Sequence, residues 1–268
     1  MAELHVVFTG ALQGLWGPDY WVTWPPGLQL ALGDVGIVRH GRLTPTSRLA
    51  ERDIEVDIDV AGGLRELAYD SEGAVSVTFK AAGESPDGFQ ALARADAGAC
   101  VRFARENAVL AVYTELRETR IRRLGELAEQ LTRRFWEGTW SASEAVVSSL
   151  VTARSATVLV GIGSQSRAEL RAGASVATLA SLGSLAADVG IVHRDRLALA
   201  LSGPDVTPFF RLVRLRRSFT GRIEQEYGRG LADAPAKMPA RVIEEALQDP
   251  EGVVEELCPP ATSDGAGS

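Results

Sequence analysis

The chain has 268 residues, of which 46% are hydrophobic and 24% are charged, and its formal net charge is −7 at pH 7. This composition is that of an ordinary globular protein with one large domain or two small ones, and the negative charge argues against a general nucleic-acid binder. The two cysteines, Cys100 and Cys258, form no Cys-x-x-Cys pair, so the sequence gives no support to a zinc or redox site.

The N-terminal stretch MAELHVVFTG has neither the basic region nor the long apolar region of a secretory signal. Ala2 stands where N-myristoylation requires glycine, and no run approaches the ~20 apolar residues of a transmembrane helix. We therefore expect a cytoplasmic protein.

Aromatic residues cluster next, in the turn-rich segment LWGPDYWVTWPPG from Leu15 to Gly27. Tryptophan and tyrosine rings favour two environments, the headgroup region of a bilayer and the ends of a β-core, of which the second is the more common. The residues concerned are Trp16, Tyr20, Trp21 and Trp24.

Strand signals follow. LALGDVGIVRHGRLTPTSRL predicts two strands joined by a turn at His40-Gly41. AVSVTFKAAG alternates between apolar and polar residues, which is typical of a half-buried strand. Its apolar face carries Val75, Val77 and Phe79, and its polar face carries Ser76, Thr78 and Lys80.

The next stretch, GACVRFARENAVLAVYTEL, predicts a hairpin that turns near Glu106-Asn107 and places Val101 and Phe103 on one side. After Arg117 the apolar period changes to three and four residues, which predicts an amphipathic helix that Gly138 ends. The apolar positions of this helix are Ile121, Leu124, Leu127, Ala128, Leu131 and Phe135.

Alternating, β-branched sequence follows the helix. EAVVSSLVTA and SATVLVGIG predict two strands separated by a turn around Arg154, and RAELRAGASV predicts a third. Small residues at 177–187 predict a short helix, and DVTPFFRLVRL completes a sheet. Strands with an amphipathic helix between them place the chain in the α+β class.

The composition changes past Tyr227. We assign residues 1–228 to a β-rich domain and residues 229–268 to a linker and an acidic C-terminal tail, in which RVIEEALQDPEGVVEEL predicts a short helix broken at Pro250. The segment before the linker is basic, and the acidic tail either docks on it and masks it or both remain solvated. The basic residues are Arg211, Arg214, Arg216, Arg217 and Arg222.

Motifs for catalysis or ligand binding are weak. ATVLVGIGSQSRAEL begins like a dinucleotide-binding turn at Gly161 and Gly163, but Ser166 replaces the third glycine, which favours an ordinary β-turn. The three histidines have no metal-ligand spacing, and no Gly-x-Ser-x-Gly motif marks a nucleophile. We therefore expect no catalytic residue, no cofactor and no metal, and a protein that is not an enzyme.

One internal repeat is present: LGDVGIVRHGRL and AADVGIVHRDRL share an aspartate, a Val-Gly-Ile-Val strand and a basic turn. Two copies are too few for a solenoid. Pseudo-symmetric halves and coincidence both stay open as explanations.

The passage LGELAEQLTRRFWEGTWSASEAVVSSLVTARSATVLV, from Leu124 to Val160, resembles the pore-forming domain of gasdermins. AVSVTFKAAG and the later VTPFFRL fit the same order of elements, and the resemblance covers about residues 30–220. It implies a twisted, mainly antiparallel sheet with flanking amphipathic helices. It also implies a bacterial defence or cell-death effector whose subunits oligomerise in a membrane and form a pore through amphipathic hairpins.

The hairpin regions that this resemblance implies are Ala74 to Leu116 and Val158 to Leu201. The arginines from Arg211 to Arg222 would attract anionic lipid, at about 1 kcal/mol for each basic residue near the surface. The residues expected to face the membrane are Val75, Val77, Phe79, Val101, Phe103, Val158 and Val160.

The chain departs from several bacterial gasdermins in having no cysteine near its start, and it has an acidic tail where the family has a large C-terminal repressor domain. The tail from Arg241 to Leu257 is therefore the candidate restraint, released by a protease that cuts in the linker from Gly228 to Pro239. The apolar residues through which the tail would act are Val242, Ile243, Leu247, Val253, Val254 and Leu257.

The partners implied are membrane lipids, further copies of the chain and an activating protease, with no nucleic acid. Activation would move the protein from the cytoplasm to the inner membrane. The main alternative is a non-enzymatic, β-rich protein-interaction module whose hairpins stay in the core, and a weaker one is an enzyme of unrecognised class.

Overall fold

A computed structural model describes residues 2–71, 73–84, 89–94, 96–172, 178, 190–227 and 237–260. Most of the short helix expected at 177–187, and most of the linker expected at 228–239, lie outside these residues. Within them the helices are α1 (Ala2–Leu12), α2 (Leu124–Trp136), α3 (Arg217–Tyr227), α4 (Ala240–Gln248) and α5 (Pro250–Val253). The strands are β1 (Trp21–Val22), β2 (Asp34–Arg39), β3 (Arg42–Arg48), β4 (Ile58–Asp70), β5 (Val75–Lys80), β6 (Ala97–Phe103), β7 (Val109–Ile121), β8 (Glu144–Gly161), β9 (Arg167–Ala172), β10 (Gly190–Asp195), β11 (Leu197–Leu215) and β12 (Val254–Leu257).

A large antiparallel sheet is organised around β8, which has 18 residues. One edge of β8 pairs first with β2 and then with β7, and its other edge pairs with β11. β3 extends the sheet beyond β2, and β4 extends it beyond β7. β1 and β12 share the far edge of β11.

A small antiparallel sheet has the strand order β10-β9-β6-β5 and packs on the large sheet. The helices lie on the flanks: α1 covers one face of the large sheet, and α2, α3 and α4 pack together near β2 and the end of β11. The predicted class, α+β with a mainly antiparallel sheet and flanking helices, is confirmed.

The turn predicted around Arg154 is wrong, because β8 runs unbroken through this residue. The irregularity lies in the neighbouring strands: Glu115 in β7 and Asp205 in β11 have φ values of 48° and 51°. Arg154 is exposed, and its guanidinium bonds the Glu115 carboxylate at 2.8 Å. The polar break in the sequence of β8 thus lies beside irregular positions of β7 and β11.

The hairpin predicted around Glu106-Asn107 is also wrong in its pairing. Both strands form and the chain does turn there, with Asn107 at a φ of 58°. However, β6 pairs with β5 and β9 in the small sheet, while β7 pairs with β4 and β8 in the large sheet. The two strands face each other across the core because their apolar side chains meet there.

Several local predictions are confirmed. The turn at His40-Gly41 joins β2 and β3, and both residues have positive φ (51° and 73°). α2 covers the predicted helix from Leu124 onward, and Gly138 follows it at a φ of 78°. Ile121, counted with the helix in the sequence, is instead the last residue of β7.

The patterns in the sequence do not indicate α1. Its residues Phe8 and Leu12 are fully buried against the large sheet, in a core with Val109, Val158 and Val160 that we call the α1 core. The helix has only a weak separation of apolar and polar faces, since AELHVVFTGAL is apolar on most sides. Tertiary packing explains its formation better than an amphipathic pattern does.

The tail is more than the single broken helix predicted from its sequence. α4 ends at Gln248, and Pro250 begins the short α5, where a proline lacking N–H is tolerated in the first turn. Residues 254–257 then form β12, which pairs with Leu212 to Leu215 of β11. The tail therefore contributes both a helix and a strand to the fold.

Candidate functional site

The small sheet has one apolar and one polar face. Its apolar face lies against Leu110, Val112 and Leu159 of the large sheet, and we call this cluster the inter-sheet core. The five membrane-facing residues predicted on β5 and β6 lie together on this face. Val101 and Phe103 are fully buried there, with Val75, Val77 and Phe79 packed around them.

Val158 and Val160 lie on the opposite side of the large sheet. Both are fully buried in the α1 core, beneath Phe8 and Leu12. In the folded chain the seven residues predicted to face a membrane are therefore divided between two separate cores.

The two sheets repeat the same strand order. β5, β6, β9 and β10 are joined along the chain to β4, β7, β8 and β11, and the orders β5-β6-β9-β10 and β4-β7-β8-β11 correspond strand by strand. The four joins are short: 71–74, 104–108, 162–166 and Arg196, and we call them the hinge connections. The small sheet is thus the far half of a four-stranded sheet folded back onto its near half.

The central strand pair keeps one register across the fold. Val109 faces Val160 in the large sheet, and Arg102, seven positions earlier, faces Arg167, seven positions later, in the small sheet. Backbone hydrogen bonds also join each central hinge connection to the end of the strand beside it, from the N–H of Phe103 in β6 to the carbonyl of Ser166 at 2.9 Å and from the N–H of Asn107 to the carbonyl of Gly161 in β8 at 3.0 Å. The outer strand pairs change register between the two sheets. The shift is two residues from the β4–β7 pair to the β5–β6 pair, and four residues from the β8–β11 pair to the β9–β10 pair.

The polar face of the small sheet carries two buried charges. Lys80 is on this face, as the alternation predicts, but it is only 1% exposed, and its Nζ donates to the carbonyls of Ala93, at 2.8 Å, and of Asp96. Glu169 is fully buried and accepts from three consecutive backbone N–H groups, those of Gln90, Ala91 and Leu92, at 2.7 to 3.1 Å. These contacts fix residues 89–94 over the sheet.

The environment of Glu169 stabilises its charged form. Burial alone would raise the pKa of this carboxyl. The three backbone donors and the Arg167 guanidinium together lower it by more, so the pKa lies below the ordinary value. One signal in the sequence points to this residue: RAELRA alternates, and Glu169 occupies a position opposite Cys100 on the polar face. Nothing local in the sequence indicates that residues 90–92 would cover it.

The tail docks through part of the predicted apolar set. Val242, Val253 and Val254 are buried in a core with Leu127, Leu131 and Phe135 of α2 and with α3. Ile243 and Leu257 are partly buried. Leu247 is 49% exposed and is no part of the docked face, which corrects its place in the predicted set.

Four of the five arginines predicted to bind lipid contact the tail. Arg214 Nε donates to Glu255 at 2.7 Å, Arg216 Nε donates to the Glu251 carbonyl at 2.6 Å, and both Arg211 and Arg222 are paired with tail carboxylates. The tail carboxylates of the last two pairs belong to Glu256 and Glu245, respectively. Arg217 is exposed. Of the two alternatives left open by the sequence, docking of the acidic tail is the one observed.

The aromatic segment packs at the end of the β-core and meets the tail. Trp16 stacks on Phe209 with ring centroids 6.2 Å apart, and Trp21 Nε1 donates to the carbonyl of Leu257. Tyr20 donates to Glu118 at 2.6 Å. The pKa of Tyr20 is raised, mainly by burial and secondly by this hydrogen bond to the Glu118 carboxylate.

Among the residues that the structure describes, the remaining sequence motifs form no site. Gly161 and Gly163 lie where β8 passes into its hinge connection, where the Ser166 hydroxyl donates to the Gly163 carbonyl at 2.8 Å, which confirms an ordinary turn. Over the described ranges no group of three or more His, Cys, Asp or Glu side chains is placed to hold a metal ion. The two copies of the internal repeat contribute β2 to the large sheet and β10 to the small sheet.

In the described part of the chain, no helix combines the length and the apolar character needed to cross a membrane. No protein-family model and no curated protein matches the sequence. Among solved structures the chain is similar to a bacterial gasdermin from Bradyrhizobium tropiciagri, with 12% identity, 79% of this chain and 86% of that chain covered, and a TM-score of 0.33. The likeness is weak, and at this TM-score it carries no conclusion about function.

Proposed function

We propose that this chain is a gasdermin-like pore-forming protein, in which several copies assemble in a membrane and the small sheet unfolds outward to span it. The observation that carries the proposal is the folded-back arrangement, because straightening the four hinge connections would lengthen four adjacent strands together. The proposal involves no catalytic chemistry and no cofactor.

Register supports this rearrangement. Because β6–β7 and β8–β9 keep the same pairing on both sides of their hinge connections, they can become one continuous antiparallel pair without sliding. The outer strands have to absorb their offsets of two and four residues, which a β-bulge in each can do.

The distribution of apolar residues supports it further. Side chains alternate along a strand, so Val101, Phe103 and Val109 share one face once β6 and β7 are continuous. Val77 lies opposite Val101, and Val160 lies opposite Val109, so both join the same face. All seven predicted membrane-facing residues, which two cores separate in the folded chain, then form a single apolar surface.

The dimensions fit a membrane. β6 with its hinge connection 104–108, and β9 with 162–166, each exceed the ~10 residues that a membrane-crossing strand requires. Backbone groups in lipid have to be paired, and a four-stranded sheet leaves two open edges. A further copy on each side would pair both edges, so the proposal includes homo-oligomerisation.

The docked tail is the proposed restraint. It neutralises Arg211, Arg214 and Arg222 with carboxylates, and its removal would expose these cations to anionic lipid headgroups. Cleavage by a protease between residues 228 and 239 would release it. On this proposal the protein waits in the cytoplasm and acts at the inner membrane, as a defence or cell-death effector would.

Dye release from vesicles containing anionic lipid tests the proposal. We expect the chain ending at Tyr227 to release dye and the full chain to release none. A Val77→Asp variant of the shortened chain is the control, because Val77 is only partly buried in the folded chain but would face lipid in the pore. It should bind vesicles and release no dye.

If the shortened chain neither binds vesicles nor releases dye, the proposal fails. The interaction-module alternative, in which the hairpins stay in the core, would then be preferred.

A further inference from the structure

We infer that residues 89–94 form a strap that holds the small sheet in its folded-back state, latched by the buried charges of Lys80 and Glu169. The inference rests on the proposed function, since it concerns how the sheet is released. It adds a second restraint to that of the tail.

The latch grips the strap with opposite charges. Glu169, on β9, binds the three consecutive backbone N–H groups of residues 90–92, and Lys80, on β5, binds the carbonyls of Ala93 and Arg94 that follow. β6 lies between these two strands, so the strap crosses three strands of the sheet. Hydrogen bonds to charged groups in a water-excluded site are among the strongest that a protein forms.

An apolar contact seats the strap at its centre. Leu92 is 7% exposed and lies over Gly98, where an added Cβ would come within 2.7 Å of the Leu92 side chain. Any larger residue at position 98 would also meet the backbone of Leu170. Gly98 therefore opens the slot that Leu92 fills.

The use of charges in the latch has a physical reason. In the straightened sheet the face that carries Lys80 and Glu169 is opposite the apolar face and would meet water. Apolar residues at these two positions would leave the backbone N–H and carbonyl groups of the strap unpaired in the folded chain, and they would leave this face unsuited to water in the straightened sheet. Charged residues serve both states, provided that the strap lifts away during opening.

The strap is part of the connection between β5 and β6, and this connection would enter the membrane first. While the strap stays fixed across the small sheet, β5 and β6 therefore cannot extend as a hairpin. The tail packs on α2 and β11, whereas the strap packs on the small sheet. Release of the tail and release of the strap are therefore separate steps.

The test uses Glu169→Gln in the full chain and in the chain ending at Tyr227. The matched control is Glu84→Gln, which alters an exposed carboxylate in the same connection that accepts from the Ala81 N–H at 3.0 Å. Hydrogen exchange of the strap amides is measured without lipid, and the rate of dye release is measured with vesicles.

We expect Glu169→Gln to raise exchange at residues 90–92 at least tenfold, and to speed dye release by the shortened chain at least threefold. The full-length variant should still release no dye, because the tail remains docked. Glu84→Gln should change neither quantity. Leu92→Ala, which loosens the strap without altering the sheet, should reproduce both effects if Glu169→Gln folds poorly.

Faster exchange with an unchanged rate of release would overturn the inference, and so would unchanged exchange. If the shortened chain releases no dye either with the latch intact or with Glu169→Gln, the proposed function itself fails and the inference fails with it.

Discussion

The two sheets of this protein differ in what covers them. In the large sheet, β8 is buried on both faces from Ser155 to Gly161, by the α1 core on one side and the inter-sheet core on the other. In the small sheet, β9 has one apolar face, on which Ala168 and Leu170 are fully buried, and one polar face, on which Glu169 is buried beneath residues 89–94 and Arg171 is exposed.

This difference indicates which part of the molecule can change its surroundings. A strand with two apolar faces has to be covered on both, whereas a strand with one apolar and one polar face is suited to a boundary between lipid and water. On the proposed function, the large sheet is the body and the small sheet is the part that moves. Each experiment below tests whether the two sheets behave as differently as this comparison requires.

The largest effect on stability should come from removing a buried aromatic side chain from either sheet. Phe103→Ala in the inter-sheet core and Phe209→Ala in the α1 core should each lower the free energy of unfolding by about 3–5 kcal/mol. Hydrogen exchange should separate them, with Phe103→Ala accelerating exchange mainly in β5, β6, β9 and β10. Equal acceleration throughout both sheets would contradict independent movement of the small sheet.

A smaller effect is expected at the central hinge connection. A Cβ at Gly161 would lie 2.9 Å from the Phe103 ring, so Gly161→Ala should destabilise the folded-back state by about 1–3 kcal/mol. In the shortened chain it should speed dye release. Gly163→Ala is the control, because a Cβ there meets no atom within 4 Å; if both variants behave alike, crowding at Phe103 has no role.

Acid should loosen the strap on the small sheet. The pKa of Glu169 is lower in the folded chain than the ordinary value of about 4.3, so its carboxylate contributes stability that is fully present above that pH. The contribution is lost as pH falls below about 4, through the folded pKa. Exchange of the strap amides should therefore rise with acid in the native chain, and this rise should disappear in Glu169→Gln.

The smallest effects should come from single ion pairs that hold the tail. Glu255→Gln and Glu256→Gln remove partners of Arg214 and Arg211 at partly exposed sites, where a pair contributes about 0–1 kcal/mol. Docking of the tail, measured by protection of residues 240–257 from proteolysis, should weaken only slightly. A complete loss of protection in either variant would show that charge, and not Val242 or Val254, anchors the tail.

The sequence predicted local features better than pairings. Alternation correctly placed the two faces of β5, and spacing correctly placed α2, because both patterns reflect burial along one element. The turn predicted at Arg154 was wrong, since β8 is continuous there and the irregular residues lie in β7 and β11, whereas the turn at Asn107 is real but leads from one sheet to the other. Which strands pair depends on partners far along the chain, which periodicity cannot reveal.

The same limit applies to the candidate site. The apolar residues of β5 and β6 and the basic residues near Arg211 were recognisable from the sequence, and so was the acidic tail that pairs with them. The latch was not, because Lys80 and Glu169 are brought to the strap only by the order of strands in the small sheet. Charged residues in alternating strands ordinarily lie in solvent, and their burial here depends on residues 89–94.

The most direct test of the central claim is to follow the two faces of β5 as the protein meets a membrane. Single cysteines at 75, 76, 77, 78 and 79, in the chain ending at Tyr227 with Cys100→Ala, would carry an environment-sensitive dye. We predict that vesicles move the dye into lipid at 75, 77 and 79 and leave it in water at 76 and 78. The same response at all five positions, or no response while dye is released from the vesicles, would contradict a small sheet that opens into the membrane.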